Sequence, residues 1–175
     1  QFNPGKGQPS RFAPFNDGTN SVVPTLYAAS NREAAAFESV FHDIDPAAPY
    51  KTVTLGSVEK RHVCEIAPRR DLTLVQLFAP DLKAWGIGRN QLIDTPKSTY
   101  ASTVLWARAI HAQFTRADGL IWTSRQCDPQ TSMVFFGDRI DETSFDVISS
   151  RHIGSDPALI LEFRNFGRRI GITLD

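Results

Sequence analysis

The sequence predicts an α+β fold, in which compact mixed or antiparallel sheets are flanked by helices. Short apolar stretches typical of strands and longer stretches with helical spacing follow one another irregularly along the chain. A doubly wound parallel sheet would need a regular succession of strand, helix and strand. The 175 residues are expected to form one domain, residues 1–175, with residues 1–10 as a loop rich in Gly and Pro.

The composition narrows the classes of function. Hydrophobic residues make up 41% and charged residues 22% of the chain, which is ordinary for a globular protein. The 19 basic and 19 acidic residues cancel, whereas nucleic-acid-binding proteins usually carry a basic surplus. Direct nucleic-acid binding by this chain is therefore not expected. Zero net charge gives little colloidal repulsion, which suits a protein that binds a partner or forms a homo-oligomer.

Membrane, secretion and metal signals are absent from the sequence. No apolar run approaches the roughly 18 residues of a membrane span, and no signal peptide is visible. Cys64 and Cys127 have neither CxxC spacing nor a neighbouring histidine pair. We therefore expect two free thiols, a cytoplasmic protein and no metal site.

The first elements surround the stretch from Arg11 to Asp43. Asn16-Asp17-Gly18 predicts a turn, and the β-branched and apolar residues from Val22 to Ala28 predict a short strand, with Pro24 near its start. Ser30 is the predicted cap of the following helix.

That helix has a clear apolar face and a predicted end. Glu33, three residues after Ser30, would complete a capping box. Apolar residues then recur at helical spacing, and Asp45-Pro46 is expected to stop the helix. Glu38 lies at the edge of this face, next to Phe37.

The middle of the chain predicts a hairpin. His62 to Ile66 and Leu72 to Leu77 alternate as strands do, with a turn at Pro68 to Asp71 between them. A short strand at Thr52 to Leu55 and a short helix at Asp81 to Ile87 are expected on either side.

The last third combines two helices with three strands. The strongest helical pattern runs from Ser98 to Phe114, and a final helix should start at a cap on Asp156 and stop at Gly167. The predicted strands are Gly119 to Thr123, Met133 to Phe136 and, more weakly, Phe145 to Ile148.

Four residues are candidates for a common pocket. The Arg11 guanidinium suits bidentate binding of a diphosphate. Tyr27 could stack on a flat or cationic ring, and Glu38 could face a positively charged transition state. Ser124, at the end of a strand, could bond a sugar or an amide. Each also has an ordinary structural explanation: a surface arginine, a core tyrosine, a solvated glutamate and a turn serine.

Several segments resemble the RES family, which is named for an arginine, a glutamate and a serine. The matching segments extend from about residue 8 to about residue 150, and they read in order SRFAPF, PTLYAAS, EAAAFESVFHD, YASTVLWARAIH, DGLIWTSR and MVFFGDR. The resemblance implies that Arg11, Glu38 and Ser124 are the name-giving residues and that Tyr27 is the pocket tyrosine.

The resemblance also implies a function. The family comprises the toxins of bacterial toxin–antitoxin pairs, whose partner is usually an Xre-type helix-turn-helix antitoxin. Its fold is similar to that of ADP-ribosyltransferase toxins, and its substrate is NAD⁺. We therefore expect a toxin that cleaves NAD⁺ at the nicotinamide–ribose bond, as a glycohydrolase or a phosphorylase, and so arrests growth.

On this reading Glu38 would stabilise the oxocarbenium-like cation and Ser124 would orient the substrate, as catalytic residues. Arg11 and Tyr27 would bind NAD⁺.

Two alternatives remain at this point. An ADP-ribosyltransferase that modifies one cellular protein would share the pocket. A non-catalytic binding module would need no chemistry. An antitoxin would have to cover the pocket, and an exposed apolar patch at its mouth would be the sign, with Phe12, Phe15 and Trp85 as candidates.

Overall fold

The elements of the computed structural model, which describes residues 1–45 and 47–175, confirm the predicted α+β class. The described residues form six α-helices: α1 (Arg32–Ser39), α2 (Leu55–Glu59), α3 (Ala79–Ala84), α4 (Arg89–Leu92), α5 (Tyr100–Gln113) and α6 (Pro157–Arg169). They also form ten strands: β1 (Phe15–Asn16), β2 (Val22–Val23), β3 (Thr25–Ala29), β4 (Thr52–Val53), β5 (His62–Pro68), β6 (Leu74–Gln76), β7 (Gly119–Thr123), β8 (Thr131–Phe136), β9 (Phe145–His152) and β10 (Thr173–Leu174).

A four-stranded sheet with the order β3-β8-β7-β6 lies at the centre. Its β3–β8 and β7–β8 pairs are antiparallel, and its β6–β7 pair is parallel. Three two-stranded sheets accompany it, formed by β1 with β2, β4 with β10, and β5 with β9. The predicted strand from Val22 to Ala28 is split at Pro24, which has no N–H to donate to a ladder.

The predicted hairpin between β5 and β6 is wrong. β5 pairs instead with β9, and β6 pairs with β7. Asp118, just before β7, accounts for the second pairing. Its carboxylate accepts two hydrogen bonds from Arg70 and one from the Thr73 amide, and its own amide donates to the Thr73 carbonyl. These bonds hold the segment before β6 alongside the start of β7.

The predicted cap of α1 is also wrong by one residue. Ser30 forms its hydrogen bonds with residues at or just before the start of β8. Its amide donates to the Thr131 carbonyl, and its hydroxyl donates to the Gln130 side chain. Asn31 caps the helix instead, accepting from the Ala34 amide at 2.8 Å. The helix ends at Ser39, well before Asp45, and Pro46 lies outside the described residues.

The predicted cap of α6 is confirmed, but its predicted stop is not. Asp156 accepts from the amides of Ala158 and Leu159. The helix continues through Gly167 to Arg169, and the chain reverses at Gly171, whose φ is +72°. A side chain on Gly167 would lie 2.8 Å from the Ile172 carbonyl oxygen, so this glycine permits the returning chain to pack closely.

Other differences concern short elements. The short helices α2 and α4 were not predicted, and β9 continues four residues beyond the predicted Ile148. Both cysteines are free, as predicted, with Cys127 buried. No helix in residues 1–45 or 47–175 is long and apolar enough to cross a membrane.

Three buried clusters of the described residues adjoin the sheet; the smallest contains Phe135, Ile140 and Phe145, and the other two pack helices near the sheet. One packs α5 and the β1–β2 segment against it through residues such as Phe12, Leu120 and Phe136. The other packs α1 against α6 through Phe37 and Phe163. Burial of such apolar side chains is the main favourable contribution to the free energy of folding. The end of β7 lies beside α1, which is where the candidate residues meet.

The Asp118 network can be tested by substitution. Asp118 is 6% exposed, and hydrogen bonds from Arg70 hold the pKa of its carboxyl below the usual range. Asp118→Asn should lower the free energy of unfolding by about 1–3 kcal/mol at pH 7, measured by urea titration.

The effect should depend on pH. Because the pKa is lowered in the folded state, the stabilisation is complete above the unfolded pKa of about 3.9 and is lost as the pH falls through the folded value. The difference between the two proteins should therefore shrink in acid. Asp146→Asn is the control, since its pair with Arg69 is exposed and should contribute less than about 1 kcal/mol. Equal losses in both variants would contradict the prediction.

Candidate active site

The carboxylate of Glu38 and the hydroxyl of Ser124 are in direct contact. Ser124 Oγ donates to Glu38 Oε1 at 2.6 Å, and the backbone amide of Arg125 donates to the same oxygen at 3.0 Å. The second oxygen, Oε2, accepts no hydrogen bond from the part of the chain that the structure describes. One oxygen is therefore held by the protein, and the other is available to a ligand.

Local structure positions both residues. Glu38 lies in the last turn of α1, whose cap on Asn31 and buried Phe37 fix the orientation of the helix. Ser124 directly follows β7, and its amide donates to the Gln130 carbonyl at 2.7 Å, which closes the loop to β8. Glu38 is half-buried, whereas Ser124 is 1% exposed.

The hydrogen-bonding capacity of Ser124 is fully used. Its single proton goes to Glu38, and its oxygen accepts from the amides of Gln126 at 3.1 Å and Cys127 at 3.0 Å. A hydroxyl has one donor and two lone pairs. In this geometry Ser124 therefore acts on Glu38, and no donor or acceptor is left for a substrate.

Arg11 reaches the same region from the N-terminal loop. Its Nη1 donates to Thr95 Oγ1 at 2.7 Å, and its backbone carbonyl accepts from the Thr103 hydroxyl on α5. The guanidinium carbon lies 5.4 Å from the centroid of the Tyr100 ring, within the range of cation–π attraction. Arg11 is 8% exposed, and this burial lowers the pKa of its guanidinium.

Arg125 brings a second guanidinium to the site. Its Nη1 donates to the Thr95 carbonyl at 2.8 Å. Among the described residues, neither Arg11 nor Arg125 forms an ion pair with a carboxylate, and their remaining guanidinium nitrogens meet no protein acceptor. Arg125 is exposed, but Arg11 is buried, and a buried cation without a counter-ion is costly. The pocket is therefore suited to an anionic ligand.

A cavity of about 270 Å³ joins these groups. Basic, acidic, aromatic and other side chains line the cavity. The lining residues are Arg11, Glu38, His42, Asp43, Ile44, Asp45, Pro96, Lys97, Tyr100, Arg125 and Gln126. Lys97 and Asp43 form an ion pair of 2.5 Å across the rim. Opposite charges thus face one small space.

Tyr27 does not line this cavity. Its hydroxyl accepts from the Phe12 amide at 2.9 Å and lies 3.0 Å from Ser10 Oγ, which ties β3 to the loop that carries Arg11. The ring is edge-on to Trp122 at 6.3 Å, and the residue is 40% exposed. Desolvation of the hydroxyl raises the pKa of Tyr27 to about 12, so the phenol is neutral at physiological pH. Its stacking role stays a prediction.

Sequence reasoning missed three residues of the site. Arg125 stands next to Ser124, so the adjacency was available as a signal. Tyr100 opens the long helix, where it was assigned only to the apolar stripe. Thr95 gave no signal, because a threonine between Asp94 and Pro96 is ordinary in a loop.

The prediction of an exposed apolar patch at the mouth of the pocket is wrong for Phe12 and Phe15. Phe12 and Phe15 are 0% and 4% exposed, because they pack in the cluster beneath the sheet. Trp85 is 37% exposed, but it stacks on Trp106 at a centroid distance of 6.4 Å and does not line the cavity. Within residues 1–45 and 47–175, no group of three His, Cys, Asp or Glu side chains is arranged to bind a metal.

Comparison with known proteins gives one match. The family model described as RES domain matches residues 1–155, which is most of the chain. No curated protein and no solved structure matches the chain. The similarity to ADP-ribosyltransferase folds therefore stays a prediction.

The network around Ser124 offers a matched pair of variants. Ser124→Ala removes the donor to Glu38 and leaves two backbone amides without their acceptor, so the free energy of unfolding should fall by about 1–3 kcal/mol. Ser132 Oγ is also buried but has no hydrogen-bond partner in the described chain. Ser132→Ala should therefore be neutral or stabilising. Urea titration of both variants checks this, and a loss for Ser132→Ala as large as that for Ser124→Ala would count against it.

Proposed function

The chain belongs to the RES domain family, and we propose that it is a toxin that cleaves NAD⁺ at the nicotinamide–ribose bond. One observation carries the proposal: a carboxylate held by Ser124 and the Arg125 amide shares a cavity with two guanidiniums that have no carboxylate partner among the described residues. NAD⁺ has a matching charge pattern, since a cationic nicotinamide ribosyl end is joined to an anionic diphosphate.

The reaction develops positive charge that Glu38 can stabilise. As the bond between the ribose carbon and the nicotinamide nitrogen breaks, the electron pair leaves with nicotinamide and the ribose becomes oxocarbenium-like. Water or phosphate then bonds to that carbon, and an attacking water gives up one proton to the solvent. Because Oε1 of Glu38 is already held, the carboxylate needs little reorganisation as the charge forms.

The arginines suit the other end of the substrate. A diphosphate could accept from the open guanidinium nitrogens of Arg11 and Arg125, and it would pair with buried Arg11, which forms no ion pair among the described residues. In this proposal Arg11 and Arg125 bind NAD⁺ and Glu38 is the catalytic residue. Ser124 is a positioning residue for Glu38, and Tyr27 supports the Arg11 loop through the Phe12 amide.

The group that accepts the ADP-ribosyl unit distinguishes the proposed reaction from its main alternative. An ADP-ribosyltransferase would use the same pocket but pass the ADP-ribosyl group to a protein side chain. A non-catalytic binding module would have no need of a carboxylate fixed by Ser124, or of two guanidiniums without carboxylate partners among the described residues.

Family membership supports a partner as well. We propose that an Xre-type antitoxin neutralises the enzyme by covering the cavity of Glu38 and Arg11. The two proteins would then form a toxin–antitoxin pair.

Glu38→Gln tests the catalytic role. The amide keeps the shape and can still accept from Ser124, but the negative charge is gone. The rate of NAD⁺ loss under saturating substrate should fall by about 10²–10³-fold. Glu33→Gln is the control, since Glu33 lies on the same helix but pairs with Arg169 and does not line the cavity. An inactive wild-type protein, or equal rates for wild type and Glu38→Gln, would refute the proposed function.

The acceptor can be identified from the products. Wild-type protein incubated with NAD⁺ should release nicotinamide and free ADP-ribose in water, and a phosphorylated ADP-ribose if phosphate is the acceptor. Chromatography with and without phosphate separates these outcomes. A labelled protein band from tagged NAD⁺ in cell extract, with little free ADP-ribose, would instead favour the transferase.

A further inference from the structure

Thr95 holds both guanidiniums of the cavity. It lies between α4 and α5 and is 3% exposed. Its hydroxyl oxygen accepts from Arg11 Nη1 at 2.7 Å, and its carbonyl oxygen accepts from Arg125 Nη1 at 2.8 Å. One buried residue is thus bonded to two arginines that come from sequence positions 84 and 30 residues away.

This arrangement uses only part of each guanidinium. A guanidinium carries five N–H donors in one rigid plane. Nη1 of Arg11 donates to the Thr95 hydroxyl and, at 3.4 Å, to the Leu92 carbonyl, and Nη1 of Arg125 donates to the Thr95 carbonyl. The other nitrogens of both guanidiniums meet no acceptor among the described residues. A planar group fixed at one corner presents its remaining donors in a defined direction, so less conformational freedom is lost when a ligand binds.

We propose that Thr95 is a positioning residue that sets the affinity of the site for the diphosphate of NAD⁺. This inference rests on the proposed function and adds the residue that prepares its anion-binding end. Among the described residues, Thr95 forms no hydrogen bond with Glu38 or Ser124. It therefore acts on substrate binding and not on bond cleavage.

A purely structural role for Thr95 would give a different result. If it only held the segment before α5, its loss would lower stability and would reduce binding and turnover together. A positioning role raises KM while kcat is kept, and it is rescued by a residue that restores the hydroxyl.

The experiment compares four substitutions in the full chain. Thr95→Val keeps the shape but removes the hydroxyl that Arg11 uses, and Thr95→Ala serves the same purpose if the valine variant does not fold. Thr95→Ser restores the hydroxyl. Thr99→Val is the control, because among the described residues the Thr99 hydroxyl bonds only the Pro96 carbonyl of the same segment.

We expect Thr95→Val to raise KM for NAD⁺ by about tenfold or more, as for a hydrogen bond to a charged group, with kcat within about threefold of wild type. Thr95→Ser and Thr99→Val should stay within about threefold in both constants. Unchanged KM in Thr95→Val, or an equal rise in Thr99→Val, would overturn the inference.

Binding of inorganic pyrophosphate, measured by calorimetry, separates this inference from the proposed reaction. If the wild type does not cleave NAD⁺ but binds pyrophosphate about tenfold more tightly than Thr95→Val, the reaction is wrong and the role of Thr95 stands. If the wild type cleaves NAD⁺ and Thr95→Val binds pyrophosphate equally well, only the role of Thr95 fails. A wild type that neither cleaves nor binds would overturn both.

Discussion

The hydrogen bond from Ser124 to Glu38 is the constraint on which the site depends. It joins the last turn of α1 to the end of β7, across 86 residues of sequence. The bond forms only if α1 is packed on the second cluster and the loop after β7 is closed by the Ser124 amide. Because the hydroxyl is saturated by three partners, the position of the carboxylate is set by the fold before any ligand arrives.

Charged groups next to this hydrogen bond complete the candidate site. Arg11 and Arg125 are anchored on Thr95 and lack carboxylate partners among the described residues, while Glu38 keeps one oxygen open. Arg11 is buried, and a buried cation without a carboxylate partner among the described residues is unfavourable in the free protein and favours a ligand that supplies negative charge. The arrangement therefore supports the proposal of a substrate with a cationic and an anionic part.

Much of the fold could be predicted from sequence because local patterns decide it. Helical spacing located α1, α5 and α6, and apolar β-branched runs located β3, β7 and β8, since these periodicities reflect which face is buried. The hairpin failed because strand pairing is not local: Asp118, more than forty residues away, draws the β6 segment to β7. The cap of α1 moved from Ser30 to Asn31 for the same reason, as Ser30 bonds to residues around 130.

The sequence by itself determined the class of fold and the family, and it predicted Arg11, Tyr27, Glu38 and Ser124 as candidate residues of one pocket. Only the tertiary structure decided which of them meet. It put Glu38 against Ser124, moved Tyr27 to the support of the Arg11 loop, and added Arg125, Tyr100 and Thr95. The physical reason is that residue type limits what a side chain can bond, whereas its partners depend on long-range packing. No local pattern records that Thr95 would lie between two distant arginines.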